Sequence, residues 1–238
     1  MDNHFLSNSM KTTVLTKIVF TILFTFFLVR MNAQKNAIEF SVAHVLDKNF
    51  NRFADYFLLG TPPQMDTRYS AAATLGYTRK ISNNWYLLSG GRLVLRRVNY
   101  VQRATVVGGF YHHMVELPLG LRRAFQLNDN FGFNADFGAG VNLNSSRNES
   151  SIHFNHDELN TRIQFINYQK PGVFAFLGLS LFARISEFNS IAFNMAYQHQ
   201  FTSMFRLEGR DNLFLSYGTP VKPSYLSFGF TLRHTIKK

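Results

Sequence analysis

At 238 residues, 46% hydrophobic and only 16% charged, the chain is too apolar for a disordered tail and has the composition of neither a collagen nor a coiled coil. The absence of Cys excludes disulfide scaffolds, thiolate metal sites, cysteine nucleophiles and a lipid anchor on an N-terminal Cys. A formal charge of +11 raises nucleic acid as a partner, a reading that depends on where the charges lie.

Lys11 and Lys17 precede the 12-residue apolar run Ile18–Val29, which ends at Arg30. A helix that crosses a bilayer needs about 20 such residues. A basic start, a short apolar centre and the small or polar Asn32-Ala33-Gln34 predict a secretory signal peptide over residues 1–33, with the domain filling 34–238.

From Ala37 onward the apolar period is two, not 3.6. Strands are predicted near 37–46, 69–80, 85–98, 114–125, 131–144, 171–185, 190–204 and 225–236. Short connections at 81–84, 126–130 and 186–189 alternate with long ones at 47–68, 99–113, 145–170 and 205–224. That alternation is the layout of an outer-membrane barrel, with short turns toward the periplasm and long loops outside. The expectation is all-β: an eight-stranded antiparallel up-and-down transmembrane β-barrel in the outer membrane, after a cleaved signal peptide. Ten strands result if Thr161–Gln169 pairs as an extra one.

The predicted strands have two distinct faces. In the fourth, Val115, Leu117, Leu119 and Leu121 alternate with Glu116, Pro118, Gly120 and Arg122. In the last, Leu226, Phe228, Phe230 and Leu232 alternate with Ser227, Gly229, Thr231 and Arg233. The third and sixth alternate less cleanly. Gly90-Gly91 reads as a register-shifting bulge, and Phe174 and Phe176 compete with Val173, Ala175 and Leu177 for the lipid side. Tyr77, Trp85, Phe125, Phe131 and Phe133 mark one interfacial girdle, and Tyr69, Phe201, Phe205 and Tyr225 the other. The alternative is a secreted lipocalin-like barrel whose apolar face lines a cavity for a lipophilic ligand. The small residues of the polar face, Gly120, Gly138 and Gly229 among them, suit a crowded interior better than a solvated surface.

Without residues 1–33 the net charge is +9, since Lys11, Lys17 and Arg30 leave with Asp2. Most of the excess lies at the short-turn ends, in Lys35, Arg79, Lys80, Arg122, Arg123, Arg184, Arg233, Lys237 and Lys238. Because the aromatics face lipid and do not accompany a basic patch, nucleic acid is not expected. Outer-membrane lipids, phospholipid and lipopolysaccharide, are. Other charges point inward, and buried charges must pair. Arg92 and Arg96 bracket the height of Glu116, Arg122 lies near Asp136, and Arg233 near Glu39, which predicts an interior ion-pair network. Eight strands leave a bore that side chains fill, so no wide pore is expected.

His153-Phe-Asn-His156-Asp157-Glu158 carries metal-ligand types on a loop with no fixed geometry, and no cofactor or metal is assigned. His199 and Ser203 would stand ~13 Å apart on one strand, too far for a nucleophile–base pair. An outer-membrane enzyme acting on lipid A or phospholipid is therefore the alternative, not the first reading.

Three stretches carry a family resemblance: Asn-Ala-Gln at 32–34, Tyr-Thr-Arg-Lys-Ile-Ser-Asn-Asn-Trp-Tyr at 77–86, and Val-Glu-Leu-Pro-Leu-Gly-Leu-Arg at 115–122. The chain resembles the Bacteroidota outer-membrane β-barrel domain proteins of the PorT-like group, over all of residues 34–238. The resemblance implies a small barrel of OmpX or OmpA type, in a group of which one branch assists protein secretion. The ending Thr235-Ile-Lys-Lys238 departs from the terminal aromatic of proteobacterial barrels. The expected role is that of a monomeric structural or surface-binding accessory, whose loops meet an extracellular ligand or an envelope protein.

Overall fold

A computed structural model describes residues 36–47, 64–66, 70–102, 105–144, 150–156, 159–168, 170–210 and 216–236. The expected signal peptide lies outside the described residues, as do Lys35, Tyr69, Arg103, Asp157, Glu158, Lys237 and Lys238.

The strands are β1 (Asn36–Asp47), β2 (Gln64–Asp66), β3 (Ser70–Ser82), β4 (Trp85–Gln102), β5 (Thr105–Gln126), β6 (Phe131–Asn144), β7 (Ser150–His156), β8 (Leu159–Asn167), β9 (Gly172–Arg184), β10 (Asn189–Gln200), β11 (Phe205–Arg210), β12 (Ser216–Val221) and β13 (Tyr225–Ile236). Eight of them close on themselves in the order β1-β3-β4-β5-β6-β9-β10-β13, with β13 pairing back onto β1, every pair antiparallel. Closure removes the open edges that an eight-stranded sheet would otherwise expose. Among the described residues β2 pairs only with the end of β4, over Gln64–Asp66.

Short polar turns set the hairpins. Asn128 Oδ1 accepts the amides of Asn130 and Phe131, both at 2.9 Å, and Ser186 Oγ accepts the amide of Asn189 at 3.1 Å. Such side-chain mimicry of a backbone turn is why Asn and Ser recur there.

The closure geometry follows from the register. The row that leaves β5 at His113 runs through Leu95, Ala71, His44, Phe228, Met195, Leu179 and Ala135, and returns to β5 at Arg123, ten residues further along. A stagger of ten over eight strands tilts them by ~40° at ordinary strand spacings. The outward residues of β5 between those points are Val115, Leu117, Leu119 and Leu121. These four span a vertical rise of ~15 Å at that tilt, and the stretch from His113 to Arg123 that brackets them rises ~26 Å, the height of a barrel's lipid-facing band. The outer wall is apolar and exposed all round: Leu75 63%, Leu119 55%, Leu177 62%, Leu181 64% and Phe230 57%.

Several expectations change. The 99–113 connection is largely strand, because β4 runs to Gln102 and β5 begins at Thr105. Gly90-Gly91 is not a bulge: the register is the same at Ser89↔Leu119 and Arg92↔Glu116, and the shifts fall at Lys80/Ser82 and Tyr100/Val101 instead. Thr161–Gln169 does hold a strand, β8, but it joins β7, β11 and β12 in a separate four-stranded sheet, so the barrel has eight strands. Seen against their neighbours, Phe174 and Phe176 point inward. Their rings, with that of Phe182, lie over the bare backbones of Gly140, Gly138, Gly120 and Gly132, where a Cβ would overlap them. Phe205 and Tyr225 belong to no girdle, since both are fully buried.

Candidate functional site

The inward face of the barrel carries the polar chemistry. Near the short-turn end, Arg122 on β5 sits opposite Asp136 on β6 and grips it with two bonds, Nε to Oδ1 at 2.8 Å and Nη2 to Oδ2 at 2.9 Å. Its Nη1 donates across the bore to Glu39 Oε1 on β1. Arg233 on β13, the register partner of Glu39, lies 3.6 Å from the same carboxylate oxygen and stacks over the Tyr86 ring at 5.1 Å. Two arginines and two carboxylates therefore alternate in one chain of charge, which is how buried ions are tolerated.

A second tie crosses the bore further up. Glu116 on β5 accepts Gln198 Nε2 of β10 at 2.6 Å on one oxygen and Tyr225 OH of β13 at 2.7 Å on the other. Arg92 is the register partner of Glu116, yet the carboxylate's hydrogen bonds go to Gln198 and Tyr225. The Arg92 and Arg96 guanidinium groups instead lie on the Tyr225 ring, 5.2 and 5.0 Å from its centroid. Arg96 pairs with Asp47 of β1, Nε to Oδ1 at 2.8 Å, both side chains fully buried. A cavity of about 160 Å3 separates the two ties and is lined by Glu39, Arg92, Glu116, Arg122 and Asp136 together with Phe174 and Phe176. Its charged lining residues and its volume leave room for water beside Arg92.

Above these ties the mouth is packed. His112 Nε2 donates to Asn144 Oδ1 at 2.7 Å, and Asn142 Nδ2 donates to Gln200 Oε1 at 2.7 Å. The Asn144 amide donates to the carbonyl of Tyr168 at 2.9 Å and to that of Met204. Met204 and Phe205 are fully buried, and Phe205 packs on the His112 ring at 5.0 Å.

The structure thus joins Arg122, Asp136, Glu39 and Arg233, and keeps Arg92, Arg96 and Glu116 at one level without pairing either arginine to Glu116. Asp47, Gln198, Tyr225, His112 and Asn144 are additions. Tyr225 has the inward parity of Ser227 and Gly229, a signal hidden by its position at the strand's first residue. The side chains of His153 and His156 are outside what the structure describes. His199 Nδ1 lies 3.5 Å from both Ser224 Oγ and Tyr197 OH, but Ser224 is buried and its hydroxyl already accepts the Gln200 amide at 2.9 Å, so it is not exposed as a nucleophile.

A closed eight-stranded antiparallel barrel, apolar outside and charged within, is a transmembrane β-barrel of the outer-membrane type. It is similar to a major outer membrane protein of Thermus thermophilus, at 10% identity and a TM-score of 0.42, covering 84% of this chain and 99% of that one. It is also similar to OprG of Pseudomonas aeruginosa, at 12% identity and a TM-score of 0.41 over 84% and 96%. A third likeness is to the attachment invasion locus protein of Yersinia pestis, at 10% identity and a TM-score of 0.40 over 86% and 100%. No protein-family model matches the sequence, and no curated protein does.

Proposed function

We propose that this chain, exported by its N-terminal 33 residues, is a small outer-membrane barrel that works as a structural or surface-binding accessory through its long-connection end and not through its bore. The observation that supports this is the pair of cross-bore ties, Arg122–Glu39 and Glu116–Gln198/Tyr225, beneath a mouth closed by Met204 and Phe205. The long connections meanwhile build a second sheet, β7-β8-β11-β12, whose outer strands β7 and β12 each pair on one side only among the described residues. A strand edge of this kind offers a partner, whether extracellular ligand or envelope protein, a backbone to pair with. The Tyr77–Tyr86 hairpin and the Val115–Arg122 stretch support a place in the PorT-like group of Bacteroidota barrels.

Reconstitution into planar bilayers tests this reading, with gel mobility in SDS before and after boiling as the control for a closed barrel. The expected result is a heat-dependent mobility shift without steady single-channel conductance. Steady conductance from the heat-shifting protein overturns the closed bore. A protein that is soluble and shows no shift restores the lipocalin-like alternative.

A further inference from the structure

The outer wall carries one cation whose counter-ion the described residues do not supply. Arg123, on the outward face of β5, closes the apolar run Val115-Leu117-Leu119-Leu121 at its short-turn end, so it stands where the hydrocarbon band stops. It is exposed, and among the described residues it makes no hydrogen bond and no ion pair. Its guanidinium rests instead between two rings, 5.5 Å from Trp85 and 5.1 Å from Phe125. Phe125 stacks on Phe133 at 4.4 Å, and Trp85 meets Phe137 edge-on at 6.1 Å. The register partner of Arg123 on β6 is Ala135, whose small side chain stands in the outward row between Phe133 and Phe137.

We propose that this Arg123–Trp85–Phe125 cluster binds the headgroup of an anionic phospholipid in the leaflet at the short-turn side, its acyl chain descending past Ala135. The proposal rests on the membrane-barrel reading above. The rings hold the guanidinium at the wall, and a fork of N–H groups matches a phosphate bidentately. A net negative headgroup is preferred over a zwitterionic one because the latter already carries its own cation. Charge complementarity near such a surface is worth about a fivefold preference per Arg.

Trp85 is the chain's single Trp, so its fluorescence reports on this site alone. The purified protein is reconstituted into phosphatidylcholine vesicles containing a small fraction of either acyl-brominated phosphatidylglycerol or acyl-brominated phosphatidylcholine, and quenching is compared. The expected result is quenching by the brominated phosphatidylglycerol that corresponds to about a fivefold enrichment beside Trp85. The enrichment falls to about unity in Arg123→Gln and to an intermediate value in Arg123→Lys, which keeps the charge without the planar fork. Equal quenching by the two lipids, or a preference that survives Arg123→Gln, overturns the site while leaving the barrel in its bilayer. No quenching by either lipid, with no heat-dependent mobility shift, overturns the membrane reading itself.

Discussion

Arg122 and Glu39 are 83 residues apart in sequence, and a guanidinium N–H of the one meets the carboxylate of the other in the centre of the barrel. Along the wall, β4 and β3 lie between their strands. The contact is thus a chord across the bore, not a neighbour pairing, and with Asp136 and Arg233 it balances charge on the inner face of the wall.

Removing Arg122 strands Asp136 and leaves Glu39 with Arg233 alone, at 3.6 Å. In Arg122→Met, Glu39 and Asp136 lose their shared partner, and breaking a buried pair from one side costs about 3–5 kcal/mol. Urea unfolding in lipid vesicles should show a loss of that order. A variant as stable as the parent would mean that water already satisfies both carboxylates.

The upper tie makes a smaller prediction. Tyr225→Phe deletes the hydroxyl that donates to Glu116 at 2.7 Å, with almost no change in shape. A hydrogen bond to a charged group contributes about 1.5–3 kcal/mol. The exposed Tyr197→Phe serves as the comparison, and its unfolding midpoint should not move.

The outer wall distinguishes lipid from water. Leu119 is 55% exposed at the middle of the apolar run on β5. Leu119→Arg costs about 2–4 kcal/mol if that face meets hydrocarbon. On a water-facing surface the same change stays within about 0.5 kcal/mol. Folding efficiency into vesicles measures which value holds, and a neutral outcome removes the membrane.

Two glycines on the wall should behave oppositely. A Cβ at Gly138 meets the Leu119 carbonyl, the Gly120 backbone and the Phe176 ring, whereas one at Gly91 meets nothing within 4 Å. Gly138→Ala is expected to cost about 1–3 kcal/mol by overpacking. Gly91→Ala should be neutral or stabilising by up to about 1 kcal/mol, through a less flexible unfolded chain. Parallel unfolding curves decide the contrast.

What could be read without coordinates is what depends on local pattern. A strand's side chains alternate by covalent geometry, so Val115 to Leu121 and Leu226 to Leu232 declare their outward face residue by residue. The polar punctuation at Asn128 and Ser186 marks the hairpins for an equally local reason. Neighbouring-strand register is nearly as legible, since a short turn fixes it: Arg122 opposite Asp136 follows from the 127–130 turn.

Relations across the bore were not legible. The ten-residue stagger of closure sets which residues of distant strands share a height, and only the closed sheet determines it. It brings Gln198 and Tyr225, not the adjacent Arg92, into hydrogen-bond reach of Glu116, and it carries Asp47 to Arg96. The faces of Phe174 and Phe176 were open for the same reason. A Phe is at home against lipid, and only the bare glycine backbones of β5 and β6 beside them make room for those rings inside. Sequence alone thus determined the eight barrel strands, most of their faces and the apolar wall, because these follow from a period of two. The tertiary structure decided which charges meet and that the bore is crossed twice, because contact across a barrel depends on how the whole sheet closes.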